Sequence, residues 1–252
     1  MRPQAVVRLA ASAILDLLFP LRCLCCGVEG TMLCASCAES LPRIGSPYCD
    51  HCGSPLSKDS LCRSCTVHRP TIDGIRSLFI FEGMARKAVH GLKYGGLKAA
   101  ASPLAGLLGQ FLDRNPIPAD VIVPVPLHKK RLRSRGYNQS SLLAKPLAKT
   151  AGLPMREHLL VRKRDTVSQA KTTSAAERRR NVQGAFVAPH NLDGDRVLLI
   201  DDVCTTGATM DACATALMAA GARSVWGLTL AREAFSQGSR HTLENRQTVV
   251  IK

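Results

Sequence analysis

Apolar positions along the chain fall into short continuous runs separated by longer stretches of helical period. The clearest run is Val197-Leu198-Leu199-Ile200, the pattern of a central parallel strand covered on both faces. Residues 75–81, 120–125, 185–187 and 224–230 read as further strands, with the main run extending over 197–203. Residues 84–93, 97–112, 139–150 and 210–220 read as helices, the last closed by Gly221. Strands alternating with helices predict an α/β fold with a mostly parallel, doubly wound sheet. Residues 162–176 carry basic and hydroxyl side chains with no hydrophobic period and read as a mobile loop. Residues 6–18 read as a short amphipathic helix ending before Pro20. Arg8 and Asp16 interrupt that stretch and no clean cleavage site follows, which argues against an export signal. The tail after Arg232 is polar, although 248–251 has the composition of an edge strand.

Composition sharpens this picture in two ways. No apolar run reaches the ~18 residues of a membrane span, so no integral membrane segment is expected. Aromatic residues are only 4% of the 252, too few for an extended base-stacking platform. Charge is more informative: 34 Lys and Arg against 19 Asp and Glu give a net of +15. Between Val121 and Arg180 there are 15 basic and 3 acidic residues, a net of +12. A charge run is ordinarily solvated surface, but one this concentrated suits a polyanion: nucleic acid or a phosphate-rich small molecule.

The cysteines are clustered. Nine of eleven lie between Cys23 and Cys65 and contain four C-x-x-C pairs: Cys23/Cys26, Cys34/Cys37, Cys49/Cys52 and Cys62/Cys65. Two such turns make a four-thiolate tetrahedral zinc site, so four predict two structural Zn2+ ions. Gly27 and Gly53 follow the second cysteine of a pair, where a tight turn needs a residue without Cβ. So short a segment cannot bury enough surface to fold alone, and metal binding supplies much of its folding free energy. Sequential pairing is favoured by loops of 7 and 9 residues within each set; cross-braced pairing is the alternative, and iron the lesser alternative metal. Thiolate ligands imply a reducing compartment, hence a cytoplasmic location. Cys25 reads as a neighbour of the first site, Cys204 as a small residue packing a turn, and Cys213 as core.

The sharpest chemical signal follows the central strand. Asp201 and Asp202 stand at its carboxyl end, followed by Thr205, Thr206, Gly207, Ala208 and Thr209 at the entry to a helix. Ligands of open α/β sheets bind at the carboxyl ends of strands. A helix N-terminus offers free N–H groups to a phosphate, and the threonines add hydroxyls. Two adjacent carboxylates beside a phosphate site would repel it, so they must face ribose hydroxyls or a magnesium ion. The plainer reading is a turn whose Asp and Thr merely cap the helix.

LLIDDVCTTGAT resembles the phosphoribosyl-pyrophosphate motif of type I phosphoribosyltransferases. The resemblance implies that Asp201 and Asp202 contact the 2′- and 3′-hydroxyls of ribose, with Thr205 to Thr209 on the 5-phosphate and Mg2+ bound with phosphoribosyl pyrophosphate. The segments VPVP (123–126), RGYNQS (135–140), LKY (92–94) and RRNVQGAF (179–186), with the cysteine pairs, resemble the ComF late-competence family. That resemblance runs from about residue 20 to about residue 232. It implies a type I phosphoribosyltransferase-like sheet preceded by a double zinc ribbon. The sequence after Pro126 is expected to be a basic loop at the pyrophosphate position, with His128, Lys129, Arg131 and Arg135 as candidates. The loop from Arg162 is expected to act as a lid, with Arg162, Lys163, Arg164 and Lys171 neutralising pyrophosphate.

The expected organisation is a helix over 1–20, the zinc module over 21–70, the phosphoribosyltransferase-like domain over 71–235 and a tail over 236–252. Two function classes follow. One is transfer of a phosphoribosyl group to an acceptor that the sequence does not name. The other is a non-catalytic single-stranded DNA-binding protein that keeps the phosphate cradle; the family's link to natural transformation implies DNA and a competence helicase as partners. No segment is large enough for an N-terminal glutaminase, since residues 1–70 are short and their cysteines are paired.

Overall fold

A computed structural model of the chain describes residues 20–94, 98–166 and 175–233. The expected helix at 6–18, the strand at 248–251 and Lys171 lie outside these residues.

Four parallel strands form the central sheet: β1 (Gly74–Ile80), β2 (Val121–Pro124), β5 (Arg196–Cys204) and β6 (Ser224–Arg232), in the order β1-β6-β5-β2. Its two faces follow from the two-residue alternation of side chains along a strand. On one face, Val197 and Leu199 of β5 pack with Met210, Cys213, Ala214 and Leu217 of α8 (Ala208–Ala219). On the other, Leu198 and Ile200 pack with α3 (Gly83–Tyr94), α4 (Ala101–Arg114) and α6 (Gln139–Ala151). Burial on both sides is why β5 reads as an unbroken apolar run. A small antiparallel pair, β3 (Val161–Arg162) and β4 (Phe186–Val187), stands apart. A further helix, α7, spans Ala175–Val182.

The cysteine-rich segment is built into this core. It contains two single-turn helices, α1 (Ala35–Glu39) and α2 (Arg63–Val67). Cys23, Met32, Leu33, Cys37 and Leu41 share a hydrophobic cluster with Leu78 and Phe79 of β1. Residues 42–44 run antiparallel beside β1, with Ile44 N donating to Leu78 O at 2.9 Å and Ile80 N donating to Pro42 O at 2.8 Å. On the opposite side of the sheet, Ile122 N donates to Pro154 O, and Arg156 N to Ile122 O, along β2.

Three expectations are corrected. The basic stretch after Pro126 is a helix, α5 (Lys129–Arg135), and not a loop. His128 caps its N-terminus, accepting from Lys130 N, and Gly136 ends it at φ 78°. The segment expected to be a loop from 162 to 176 begins inside β3 and ends inside α7; residues 167–174 lie outside the described ones. The helix after the phosphate loop also starts two residues earlier than expected, at Ala208.

Candidate functional site

Two cysteine quartets gather as the sequential pairing requires. Cys23, Cys26, Cys34 and Cys37 form one group and Cys49, Cys52, Cys62 and Cys65 the other, each with sulfurs within 4.8 Å of one another. The backbone supports each in the same way. Cys34 N donates to Cys23 Sγ at 3.5 Å, and Cys62 N donates to Cys49 Sγ at 3.3 Å. Gly27 and Gly53 sit at φ 80° and 69°, as the turn demands. Four convergent sulfurs with amide donors fit structural zinc, with no position left for a substrate. Hydrogen bonding from Cys65, with the Arg232 charge behind it, pulls the Cys52 thiol down to about 4 despite opposing burial. Cys25 stays outside the first quartet, its sulfur 3.8 Å from Met84 O.

At the carboxyl ends of all four parallel strands lies a cleft of about 510 Å3. Asp201, Asp202, Thr205, Gly207 and Thr209 all line it. Gly207 takes φ 82° and leads directly into α8, so the helix N-terminus opens on the cleft. A Cβ on Gly207 would meet Ile75 Cδ1 at 3.1 Å. Thr206 accepts from Ala208 N at 3.3 Å and shapes the loop from behind.

The two carboxylates are held differently. Asp202 is 2% exposed and its Oδ2 lies 2.7 Å from Lys93 Nζ on α3. Burial alone would raise its pKa, but Lys93's charge and hydrogen bond hold it below the usual carboxylate range. Asp201 accepts from Ser140 Oγ at 2.8 Å and from Asp202 N at 2.9 Å. Burial, with the Asp202 charge adding to it, pushes Asp201 up to about 7. The pair therefore consists of one firmly ionised carboxylate and one that titrates near neutrality.

Cations line the rest of the cleft. Arg131 and Arg135, one turn apart on α5, both face it. Arg135 Nη1 donates to Gln139 Oε1 at 2.5 Å, and Arg131 Nη2 donates to Thr166 O at 2.8 Å. Arg162 also lines the cleft, is 8% exposed, and donates to Thr166 Oγ1. Its Nε has no hydrogen-bond partner among the described residues. Burial, then the like charge of Arg131, lowers its pKa. Lys129 and Arg164 do not line the cleft: Lys129 is exposed, and Arg164 Nη1 donates to Gln183 O at 2.8 Å. His128 is also off it, 3.4 Å from Asp165 Oδ1.

Sequence reasoning left four site residues without a role. Lys93 appeared only as part of a family segment, and Gln139, Arg178 and Glu233 had no assigned function. Arg178 Nη1 pairs with Glu233 Oε2 at 3.2 Å at the far wall. Spacing could have flagged Arg178, in the basic run Arg178-Arg179-Arg180. Nothing local could have joined Lys93 to Asp202.

Comparison with known proteins agrees with this geometry. Residues 14–66 match a double zinc ribbon domain and residues 138–245 a phosphoribosyl transferase domain. The DNA utilization protein YhgH of Salmonella typhi is 34% identical over 200 residues, covering 77% of this chain and 87% of that protein. Competence protein F of Haemophilus influenzae is 30% identical over 229 residues, covering 84% and 98%. Competence protein ComFC of Bacillus subtilis is 32% identical over 213 residues, covering 79% and 84%. Among the described residues, no helix is long and apolar enough to cross a membrane.

Proposed function

Because the chain belongs to the ComF family, with its double zinc ribbon and phosphoribosyltransferase domain, we propose that its cleft binds phosphoribosyl pyrophosphate. The observation that carries this reading is the division of one cleft into three chemistries. The loop Thr205–Thr209 and the N-terminus of α8 suit a 5-phosphate. The Asp201–Asp202 pair suits ribose hydroxyls. Arg131, Arg135 and the under-satisfied Arg162 suit a pyrophosphate, since guanidinium forks match phosphate oxygens.

Asp201 and phosphate oxygens also make the hard donor set that magnesium takes. When bound, the ion neutralises charge developing on departing pyrophosphate. The chain's own residues orient the ribose and hold the leaving group, with transfer of the phosphoribosyl group to an acceptor as the reaction. Lys129 and Arg164 are then outer contributors to the field.

The exposed side of α5 supports a nucleic-acid role beside this one. Lys129, Lys130 and Arg133 face solvent while Arg131 and Arg135 face the cleft. The printed names of the relatives, competence and DNA utilization proteins, fit a protein of DNA uptake acting in the cytoplasm with single-stranded DNA and a helicase partner.

Calorimetry with phosphoribosyl pyrophosphate and magnesium, repeated with a single-stranded oligonucleotide, tests both. Binding of the sugar phosphate that is lost in Asp201→Asn, with inorganic phosphate still bound, is the expected result. Oligonucleotide binding with no response to the sugar phosphate would leave the DNA-binding reading alone.

A further inference from the structure

Arg232 ends β6 and is 1% exposed. A guanidinium buried so deeply needs compensating negative charge. Among the described residues no carboxylate pairs with it. Instead its Nε donates to Ser54 Oγ at 3.0 Å, and its Nη1 donates to Cys204 Sγ at 2.9 Å. Ser54 Oγ in turn lies 3.1 Å from Cys52 Sγ, in the second cysteine quartet. A dication held by four thiolates leaves two negative charges uncompensated. The metal-loaded quartet is therefore the anion that Arg232 is buried against. The other end of the same guanidinium holds Cys204, the last residue of β5, and Thr205 follows it into the phosphate loop. The backbone repeats the link, since Glu233 N donates to Cys204 O at 3.0 Å.

We propose that Arg232 is a positioning residue coupling the second cysteine quartet to the phosphate loop. Metal held by Cys49, Cys52, Cys62 and Cys65 tightens phosphate binding, and bound phosphate retains that metal. The inference rests on the phosphate reading of the cleft. It distinguishes the two quartets, because the first meets the core through Cys23 and Cys37 and, among the described residues, the hydrogen bonds that join Arg232, Ser54 and Cys204 do not reach it. Reciprocity is required of any such coupling between two binding sites.

The test uses the full chain loaded with two zinc ions and inorganic phosphate as the probe. A chelator is added, and alkylation of each cysteine is followed by peptide mass spectrometry. Saturating phosphate should slow alkylation of Cys49, Cys52, Cys62 and Cys65 by at least about fivefold, the low end of ordinary site–site coupling. Cys23, Cys26, Cys34 and Cys37 should react at an unchanged rate. Arg232→Met should abolish the protection and weaken phosphate binding by a similar factor. Cys204→Ala cuts only the loop end of the chain, leaving Arg232 on Ser54, and should also abolish it; this variant carries the test if Arg232→Met does not fold. A residue that merely stabilised the fold would change alkylation rates without changing their dependence on phosphate. Binding of phosphate with equal rates in its presence and absence overturns the coupling alone. Protection that survives in both variants overturns the role of Arg232. Failure of the wild-type protein to bind phosphate overturns the phosphate reading of the loop and the coupling together.

Discussion

Lys93 on α3 sets its ammonium 2.7 Å from the buried Asp202 carboxylate at the end of β5. The contact makes the acidic pair part of the folded framework before any ligand arrives. Two carboxylates at a strand end repel each other in the empty site, so that without a cation beside them neutralising either member would cost no stability. The ion pair changes that for Asp202.

Lys93→Met should therefore destabilise the protein. Breaking a fully buried pair costs about 3–5 kcal/mol. Lys93 keeps 22% of its side chain exposed, so about 1–3 kcal/mol is expected after solvent screening. Urea denaturation measures it. An unchanged midpoint would mean that water replaces the ammonium without loss.

Asp201 predicts a pH dependence. Its folded pKa, about 7, lies above the usual carboxylate value, so the ionised form is penalised in the native state. Its contribution to stability is complete below about pH 4 and is lost as pH rises toward 7. Asp201→Asn should flatten that slope. Affinity for phosphoribosyl pyrophosphate should rise through pH 7 in the wild type as the ribose acceptor ionises, and fall about ten- to hundredfold in the variant, the worth of a charge-assisted hydrogen bond. Titration calorimetry at pH 6 and 8, with inorganic phosphate as control, reads both effects.

The two sides of α5 should separate two ligands. Replacing Lys129, Lys130 and Arg133 with alanine should weaken oligonucleotide binding and reduce its salt slope, since each lost phosphate contact removes about 0.7–0.9 from it. Pyrophosphate binding should be nearly untouched. Arg135→Ala should do the opposite, because Arg135 lines the cleft. An identical effect of both sets on both ligands would argue for a single diffuse field.

Metal analysis should find two zinc ions per chain in reduced protein. Cys34→Ser should lose one of them. Because Cys23 and Cys37 share a cluster with Leu78 and Phe79, the loss should lower the unfolding midpoint of the whole protein and not of residues 21–70 alone. Two separate unfolding transitions would contradict this.

Elements with strong periodicity were legible in the sequence. β5 declared itself because both its faces are buried, and the quartets because C-x-x-C spacing is itself the geometry of the site. α5 was not legible, since it buries no residue and Leu132, 42% exposed, is its one apolar side chain. Its ends were nonetheless written locally, in a His128 cap and a Gly136 stop. Lys93 and Arg232 could not be assigned from sequence. Each is a cation at the polar end of an apolar element, and its partner is brought to it only by the packing of distant segments.

The strip of chain at 42–44 that lies along β1 ties metal supply to solubility. Its hydrogen bonds occupy Leu78 O and Ile80 N on the outer edge of β1, groups that would otherwise offer themselves to a second molecule. The first quartet lies just before that strip and the second just after it, so chelation loosens it from both ends. In a zinc-starved cell the fate of this protein would then be self-association through exposed β1, with aggregation preceding any loss of its internal sheet.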